Sequence, residues 1–168
     1  RIEQYKGRII YNINGEQFYP MMYSSPYGRP RKPSTAIGKE NYTNFTNAGI
    51  DLFEMSIYIR NAWKENGTLD KEKVDEELIE NLEGIYAINP DSYFQIRIML
   101  NAPDWWHEKY PEELVNFAKG PVDFNMGNEI NKAPRASLAS ERWKTESTAI
   151  LQQLLDYIQT KDIGNRIF

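Results

Sequence analysis

The chain has 168 residues, of which 40 % are hydrophobic and 13 % aromatic, enough to bury a core. Its net charge of −4 argues against nucleic acid and anionic membranes as partners. The lack of cysteine excludes disulfides and thiolate metal sites, and the single histidine, His107, excludes a multi-histidine metal site. Because no run of about 18 apolar residues occurs, the sequence predicts no membrane span.

The first part of the chain predicts a hairpin, a strand and a helix in that order. Two short β-type runs flank an Asn-Gly pair, which readily forms a type I′ turn, so a β-hairpin is expected at about 8–20. The overlapping run 18–24 is apolar on both faces, which is typical of a fully buried strand. The stretch 39–49 predicts a short helix that stops at Gly49.

The remainder of the chain continues to alternate strands with helices. Apolar runs predict three further strands at 50–58, 93–100 and 165–168. Helices are predicted at 70–89, 111–119 and 141–162. Pro90 should end the first of these helices, and Ser140 is the expected N-cap of the last.

The connections between successive strands determine the predicted architecture. They are far too long for hairpins, which demands parallel pairing with helices covering the sheet. Such a sheet can be a doubly wound layer or a (β/α)₈ barrel, and a complete barrel needs about 250 residues. The prediction is therefore an α/β fold whose parallel sheet forms the first half of a barrel, about four β/α units. Residues 1–168 would form this single partial domain.

Candidate functional residues follow the strands, since sites in parallel α/β folds lie at the carboxyl ends of the strands. The sequence has no glycine-rich nucleotide-binding motif, which leaves aromatic rings mixed with amide, guanidinium and carboxylate groups. Sugar rings stack their C–H faces on indoles, and their hydroxyls need planar hydrogen-bonding partners. The predicted substrate-binding residues are Tyr23, Arg60, Asn101, Trp105 and Trp106.

Structural explanations remain open for several of these residues. One of the two adjacent tryptophans could seal the barrel while the other covers the following helix. Arg60 could equally be a surface arginine. His107 is expected to have a surface or capping role rather than a catalytic one. No metal and no organic cofactor are implied.

Four segments carry a family resemblance: "NGEQFYPMMYSS", "NAGIDLFEM", "IRIMLNAPDWW" and "PRASLASERWKTES". Their order and spacing resemble the N-terminal half of a retaining clan-A (β/α)₈-barrel glycoside hydrolase, close to the family 42 β-galactosidases and related glycosidases. The similarity spans residues 8–168. It implies hydrolysis of a β-galactoside-type or related glycan, in which one glutamate protonates the leaving oxygen and another forms the glycosyl intermediate.

The resemblance also implies where these glutamates lie. The acid/base glutamate follows strand four and the nucleophile lies on strand seven, so we expect this chain to lack the catalytic pair and to be inactive alone. Glu129 is one acid/base candidate, because Asn128-Glu129 after "VDFNM" imitates the Asn-Glu pair of the clan. Alternatively, residues 120–134 form a loop over the ends of the strands.

The expected partners follow from this interpretation. A carbohydrate is the expected substrate, and the compartment it favours is extracellular or periplasmic. The apolar outer strands of a half-barrel would have unpaired edges, which predicts self-association. The alternative function is a carbohydrate-binding or structural barrel domain without catalysis, because a fold does not guarantee a function.

Overall fold

The structure is a computed structural model that describes residues 1–13, 15–24, 32–117 and 134–168. The chain divides into two compact units. The first unit contains Arg1–Ile57, Val74–Arg97 and Gln159–Phe168. The second unit contains Tyr58–Lys73 and Ile98–Ile158.

An antiparallel sheet opens the first unit. Its strands are β1 (Ile2–Tyr5), β2 (Arg8–Ile13) and β3 (Glu16–Phe18), paired in the order β1-β2-β3. Gly7 has a φ of 77° in the β1–β2 turn and Gly15 has a φ of 92° beside β3, and glycine adopts such positive angles without a steric penalty. The β2–β3 pair lies within the range predicted for the hairpin, whereas β1 was not predicted.

A parallel sheet follows, which makes the fold a mixed α/β fold. Its strands are β4 (Met22–Ser24), β5 (Leu52–Tyr58) and β6 (Tyr93–Met99), in the order β4-β5-β6. The β4–β5 pairing is parallel, and it places Met22 opposite Leu52. The predicted α/β class and parallel sheet are confirmed. The first predicted strand is wrong in its bounds, because Phe18 belongs to the antiparallel sheet and β4 begins at Met22.

The two sheets of the first unit share one apolar core cluster. Ile13 of β2 is buried together with Leu52 of β5 and Tyr93 of β6. Phe18 packs edge-on against Tyr93, with 5.0 Å between the ring centroids. Leu52 and Tyr93 are the first residues of β5 and β6, so the hairpin packs against the N-terminal ends of these strands and removes the side chains there from water.

The strand predicted at 165–168 is largely wrong. Asp162–Arg166 forms a 3₁₀ helix, which the Gly164 N–H closes by donating to the Lys161 carbonyl over 2.9 Å. Only the end of the segment meets the sheet, where Ile167 forms an isolated parallel bridge with Phe94. Residues 165 and 166 of the predicted strand belong to the 3₁₀ helix, so the predicted strand is reduced to the single bridge at Ile167.

Two helical segments correspond to the helices predicted at 39–49 and 70–89. The first helix, α1 (Ala36–Asn47), is capped by the Thr35 hydroxyl, and Gly49 with a φ of 80° follows its end as predicted. The helix predicted at 70–89 consists of α3 (Lys71–Val74), a π-helical turn (Asp75–Ile79) and α4 (Glu80–Ile88). The buried Asn81 side chain of α4 donates to the Glu77 carbonyl of the π-helical turn over 3.0 Å and so links the two segments.

The second unit contains most of α3, and its described residues also form α2 (Ile59–Ala62), α5 (Asp104–Lys109) and nearly all of α6 (Glu141–Gln159). The prediction of α6 is confirmed, and so is its N-cap, because the Trp143 N–H donates to the Ser140 hydroxyl over 2.9 Å. Trp143, Ile150 and Leu154 form the buried stripe of α6. The short helix α5 was not predicted.

The helix predicted at 111–119 is wrong for the residues described there. Only Pro111–Glu113 forms a 3₁₀ turn. Leu114 then makes an antiparallel bridge with Ala136, and the Val115 N–H donates to the Arg135 carbonyl over 2.8 Å. A backbone N–H that bonds a residue twenty positions away is not available to a helix, so long-range pairing overrides the local propensity here.

Candidate functional site

The predicted site residues fall in both units. Tyr23 lies on β4 of the first unit, where its ring stacks on Phe45 with 4.1 Å between the centroids. Its ring also packs edge-on against Tyr42, whose pKa is raised by burial and by the nearby Tyr23. Packing within the first unit therefore accounts for Tyr23 without a ligand.

Arg60 and Asn101 belong to the second unit. The Arg60 guanidinium lies 5.7 Å from the centroid of the Tyr58 ring and is half-buried on α2. Asn101 is exposed just after β6, and its backbone N–H donates to the Met99 carbonyl over 3.0 Å. Both residues follow strands as predicted, but neither lines the cavity described next.

Trp105 lines a cavity of about 250 Å³ in the second unit. We call this cavity the Trp105 pocket. Side chains from the loop after α2, from α5 and its C-cap, and from α6 surround it, notably Trp63, Glu65, Trp105, Lys109, Tyr110 and Glu146. The elements that supply them follow β5 and β6 in the chain, which is where parallel α/β proteins place their sites.

The indole of Trp105 is held in place from one side. Its Nε1–H donates to the Trp63 carbonyl over 3.2 Å, and the two rings pack edge-on with centroids 5.8 Å apart. The ring is only half-buried, and the Lys109 ammonium lies 6.0 Å from its centroid. Trp105 therefore has a fixed orientation and still presents apolar surface to the pocket.

Trp106 has the opposite environment from its neighbour. Its side chain is 0 % exposed and packs edge-on against Trp143 and Tyr110, each with 5.3 Å between centroids. Its Nε1–H donates to Glu146 over 2.8 Å. No face of this ring is exposed, so its packing against Trp143 and Tyr110 accounts for Trp106 without a ligand.

Glu146 connects this core to the pocket. One carboxylate oxygen accepts the Trp106 N–H, and the other accepts from the Arg142 guanidinium over 3.3 Å. Arg142 also lies 4.2 Å from the centroid of the Tyr110 ring. The carboxylate is therefore held in one orientation, and each oxygen keeps a lone pair for a further hydrogen bond. Its charge is partly compensated, because Arg142 also forms an ion pair with Glu113 over 3.6 Å.

Lys109 and Glu65 supply the other charges of the pocket. Both are exposed, and neither forms an ion pair with another residue in the part of the chain that the structure describes. The Lys109 ammonium lies instead over the Tyr110 ring, 5.4 Å from its centroid. The pocket thus offers one cationic donor and one anionic acceptor beside aromatic surface.

His107 is half-buried on α5, next to the two tryptophans. Its Nε2 is buried and has no hydrogen-bond partner among residues 1–13, 15–24, 32–117 and 134–168. Burial lowers the pKa of its imidazole; the Asp104 carboxylate opposes this and the Arg60 charge adds to it. The neutral form of His107 is therefore favoured in the folded chain.

This environment predicts a pH-dependent stability. Because the folded pKa of His107 lies below the unfolded value of about 6.5, the unfolded chain binds more protons as the pH falls through that value. The contribution from neutral His107 should be present above about pH 6.5, decline below it, and level off below the folded pKa. Urea denaturation between pH 5 and 8 should show this decline, and His107→Gln should lack it. Identical pH profiles for the two proteins would contradict the prediction.

Comparisons with protein family models, curated proteins and solved structures gave no match. Among the described residues, no group of three or more histidine, aspartate or glutamate side chains is placed to hold a metal ion. Within the same residues, no helix has the length and apolar character needed to cross a membrane. Glu129, the acid/base candidate, lies outside the described residues.

Sequence reasoning missed most of the Trp105 pocket. Trp63 follows β5 at a distance similar to that at which Trp105 follows β6, so the same argument could have found it. Glu146 gave no such signal, because a carboxylate on a charged helix resembles a solvated side chain. Lys109 and Tyr110 were not identified as site residues because the helix α5, which positions them, was not predicted.

Proposed function

We propose that this chain binds a carbohydrate in the Trp105 pocket, as part of a retaining glycoside hydrolase acting on β-galactoside-type or related glycans. The observation that carries the proposal is the half-buried indole of Trp105, oriented by Trp63 and adjoined by the Glu146 carboxylate. An indole offers a flat apolar surface for the C–H face of a sugar ring. The carboxylate accepts hydrogen bonds from hydroxyl groups.

The proposed fold of the parent protein is a (β/α)₈ barrel, of which this chain would supply the first half. Two features support it: the parallel order β4-β5-β6, and the helices that follow β4 and β5 in the chain. The β2–β3 hairpin packs against the N-terminal ends of these strands through Ile13 and Phe18. Parallel sheets with covering helices are common to barrels and doubly wound folds, so the resemblance of the four sequence segments favours the barrel.

The proposed reaction uses two glutamates, one as acid/base and one as nucleophile. We assign neither role to a described residue, and Glu129 stays a candidate for the acid/base. Turnover of a nitrophenyl β-galactoside is the discriminating assay against a non-catalytic carbohydrate-binding domain. We expect no turnover by this chain alone. Turnover that is lost in Glu129→Gln would make Glu129 the acid/base and contradict the expected inactivity.

Binding is tested by changing the stacking surface. Trp105→Ala should weaken the binding of methyl β-galactoside by about tenfold or more, because losing a stacked ring costs roughly 1.5 kcal/mol. Trp105→Phe should restore part of the affinity, since it keeps a smaller flat ring. Saturation-transfer NMR titrations measure the affinity of the wild type, Trp105→Ala and Trp105→Phe for methyl β-galactoside. Tyr5→Ala is the matched control, because Tyr5 is an aromatic residue of the other unit with 44 % exposure. Equal affinities for the wild type and Trp105→Ala would remove the basis of the proposal.

We also propose self-association between copies of this chain through the outer strands of the parallel sheet. β4 and β6 stand at the two ends of the sheet order, and in the described part of the chain no strand pairs with their outer edges beyond the bridge between Phe94 and Ile167. Unpaired strand edges are templates for pairing with another chain. Light scattering coupled to size exclusion should give a mass above the 19.7 kDa of one chain. A monomer at all concentrations would contradict this proposal and leave the carbohydrate proposal unaffected.

A further inference from the structure

The size of the Trp105 pocket limits what it can hold. Its volume is about 250 Å³, and cavities for drug-sized ligands usually measure about 300–1,000 Å³. A single pyranose ring is smaller than a drug-sized molecule, whereas two linked rings approach that size. The pocket therefore has room for one ring, and a second ring of a longer glycan would lie outside it.

The charges around the pocket favour an uncharged ligand. The Glu146 charge is partly compensated by Arg142, which also pairs with Glu113, and by the Trp106 N–H. The remaining charges are Lys109 and Glu65, which are opposite in sign and pair with no described residue. A charged ligand of either sign would meet a like charge as well as an opposite one. A ring with hydroxyl groups instead donates to the carboxylates and accepts from the ammonium.

We infer that the Trp105 pocket selects one neutral sugar ring, with Lys109 and Glu65 as the residues that discriminate against charged sugars. The inference rests on the proposed carbohydrate function and deepens it. The ring lies against the face of Trp105 over which the Lys109 ammonium lies, so this flexible side chain moves aside to bond a hydroxyl. Both discriminating residues are exposed and can change without disturbing the core.

The test compares four sugars by saturation-transfer NMR: methyl β-galactoside, lactose, galacturonate and galactosamine. Lactose should bind within about twofold of methyl β-galactoside, because only one of its rings enters the pocket. Galacturonate and galactosamine should each bind about tenfold more weakly than the neutral ring, because each gives up part of the hydration of its charge while repulsion by one pocket charge offsets attraction to the other.

Two charge variants make the expected pattern specific. Lys109→Met leaves Glu65 as the uncompensated charge, so galactosamine should gain affinity relative to methyl β-galactoside. Glu65→Gln leaves Lys109, so galacturonate should gain instead. A misfolded variant would lose all four sugars together and could not reproduce these opposite changes.

The outcomes separate the two proposals. Binding of none of the four sugars would overturn the proposed carbohydrate function and this inference with it. Binding that favours a charged sugar in the wild type, or that strengthens tenfold or more from methyl β-galactoside to lactose, would overturn this inference and leave the carbohydrate function standing.

Discussion

Replacing Trp106 with alanine is expected to lower the free energy of unfolding by about 3–5 kcal/mol, the usual cost of removing a buried large aromatic side chain. The Trp106 ring is 0 % exposed and meets Trp143 and Tyr110 edge-on, each with 5.3 Å between centroids. Its removal opens a cavity among rings that cannot collapse together without leaving their own packing. Since a folded domain is stable by about 5–15 kcal/mol in total, a large share of the stability should be lost. Urea denaturation followed by circular dichroism measures it.

A second variant separates packing from hydrogen bonding at this position. Trp106→Phe keeps most of the buried ring but removes the Nε1–H that donates to Glu146 over 2.8 Å. We expect a loss of about 1–3 kcal/mol, because the Glu146 oxygen is left without its donor. Leu138→Ala is the control, since a side chain that is 82 % exposed should change stability by less than about 0.5 kcal/mol. A Trp106→Ala protein as stable as this control would mean that the ring does not anchor the second unit.

The Trp106 variants should also affect the Trp105 pocket, because Glu146 contacts Trp106 and lines that pocket. Its carboxylate receives the buried indole N–H and lines the cavity beside Trp105. In Trp106→Phe, only Arg142 continues to orient the Glu146 carboxylate. Binding of methyl β-galactoside should therefore weaken even where the protein stays folded. Glu146→Gln keeps an acceptor for the indole, so it should be less destabilising than Trp106→Phe.

The sequence predicted those elements whose burial dominates their local pattern. The strands β5 and β6 and the helix α6 were predicted because their apolar residues recur with the period of the element that buries them. The wrong predictions have physical causes outside the local segment. Residues 111–117 prefer a helix locally, but Val115 bonds Arg135, and no sequence window contains both partners.

The candidate site was harder to predict than the fold. Trp105 and Trp106 are adjacent residues of the same type that follow the same strand, yet Trp105 is half-buried at the pocket and Trp106 is fully buried. The difference arises because successive helical residues point about 100° apart, and only the helix α5, which was not predicted, sets their directions. Glu146 lies 40 residues from its partner Trp106, so tertiary folding alone brings the two together.

Replacing Gly38 with alanine should destabilise the first unit by about 1–3 kcal/mol or more, the usual cost of forcing an extra carbon into occupied space. Inside an ordinary helix this change stabilises by about 1 kcal/mol, so the expected sign is the reverse of the intrinsic propensity. A Cβ at residue 38 would overlap the Lys32 carbonyl oxygen and would lie 2.8 Å from the Thr35 hydroxyl oxygen. These atoms cannot retreat easily, because the Thr35 N–H and hydroxyl both donate to that carbonyl, over 2.9 and 2.8 Å.

Gly84→Ala is the matched comparison, because Gly84 also lies within a helix, on α4. Its added Cβ would lie 2.7 Å from the Pro33 Cγ, a side-chain atom that a small shift of the ring can move away. We therefore expect a smaller loss than at Gly38, with the intrinsic gain of alanine offsetting part of it. Thr35→Ala in the Gly38→Ala background should recover part of the stability, since it removes the hydroxyl oxygen 2.8 Å from the added Cβ and one of the two donors that hold the Lys32 carbonyl. Alone it costs about 1 kcal/mol as a lost N-cap. Urea denaturation of the wild type, Thr35→Ala, Gly38→Ala and the double variant measures the coupling between residues 35 and 38. Additive effects would mean that the capped turn does not exclude a side chain at residue 38.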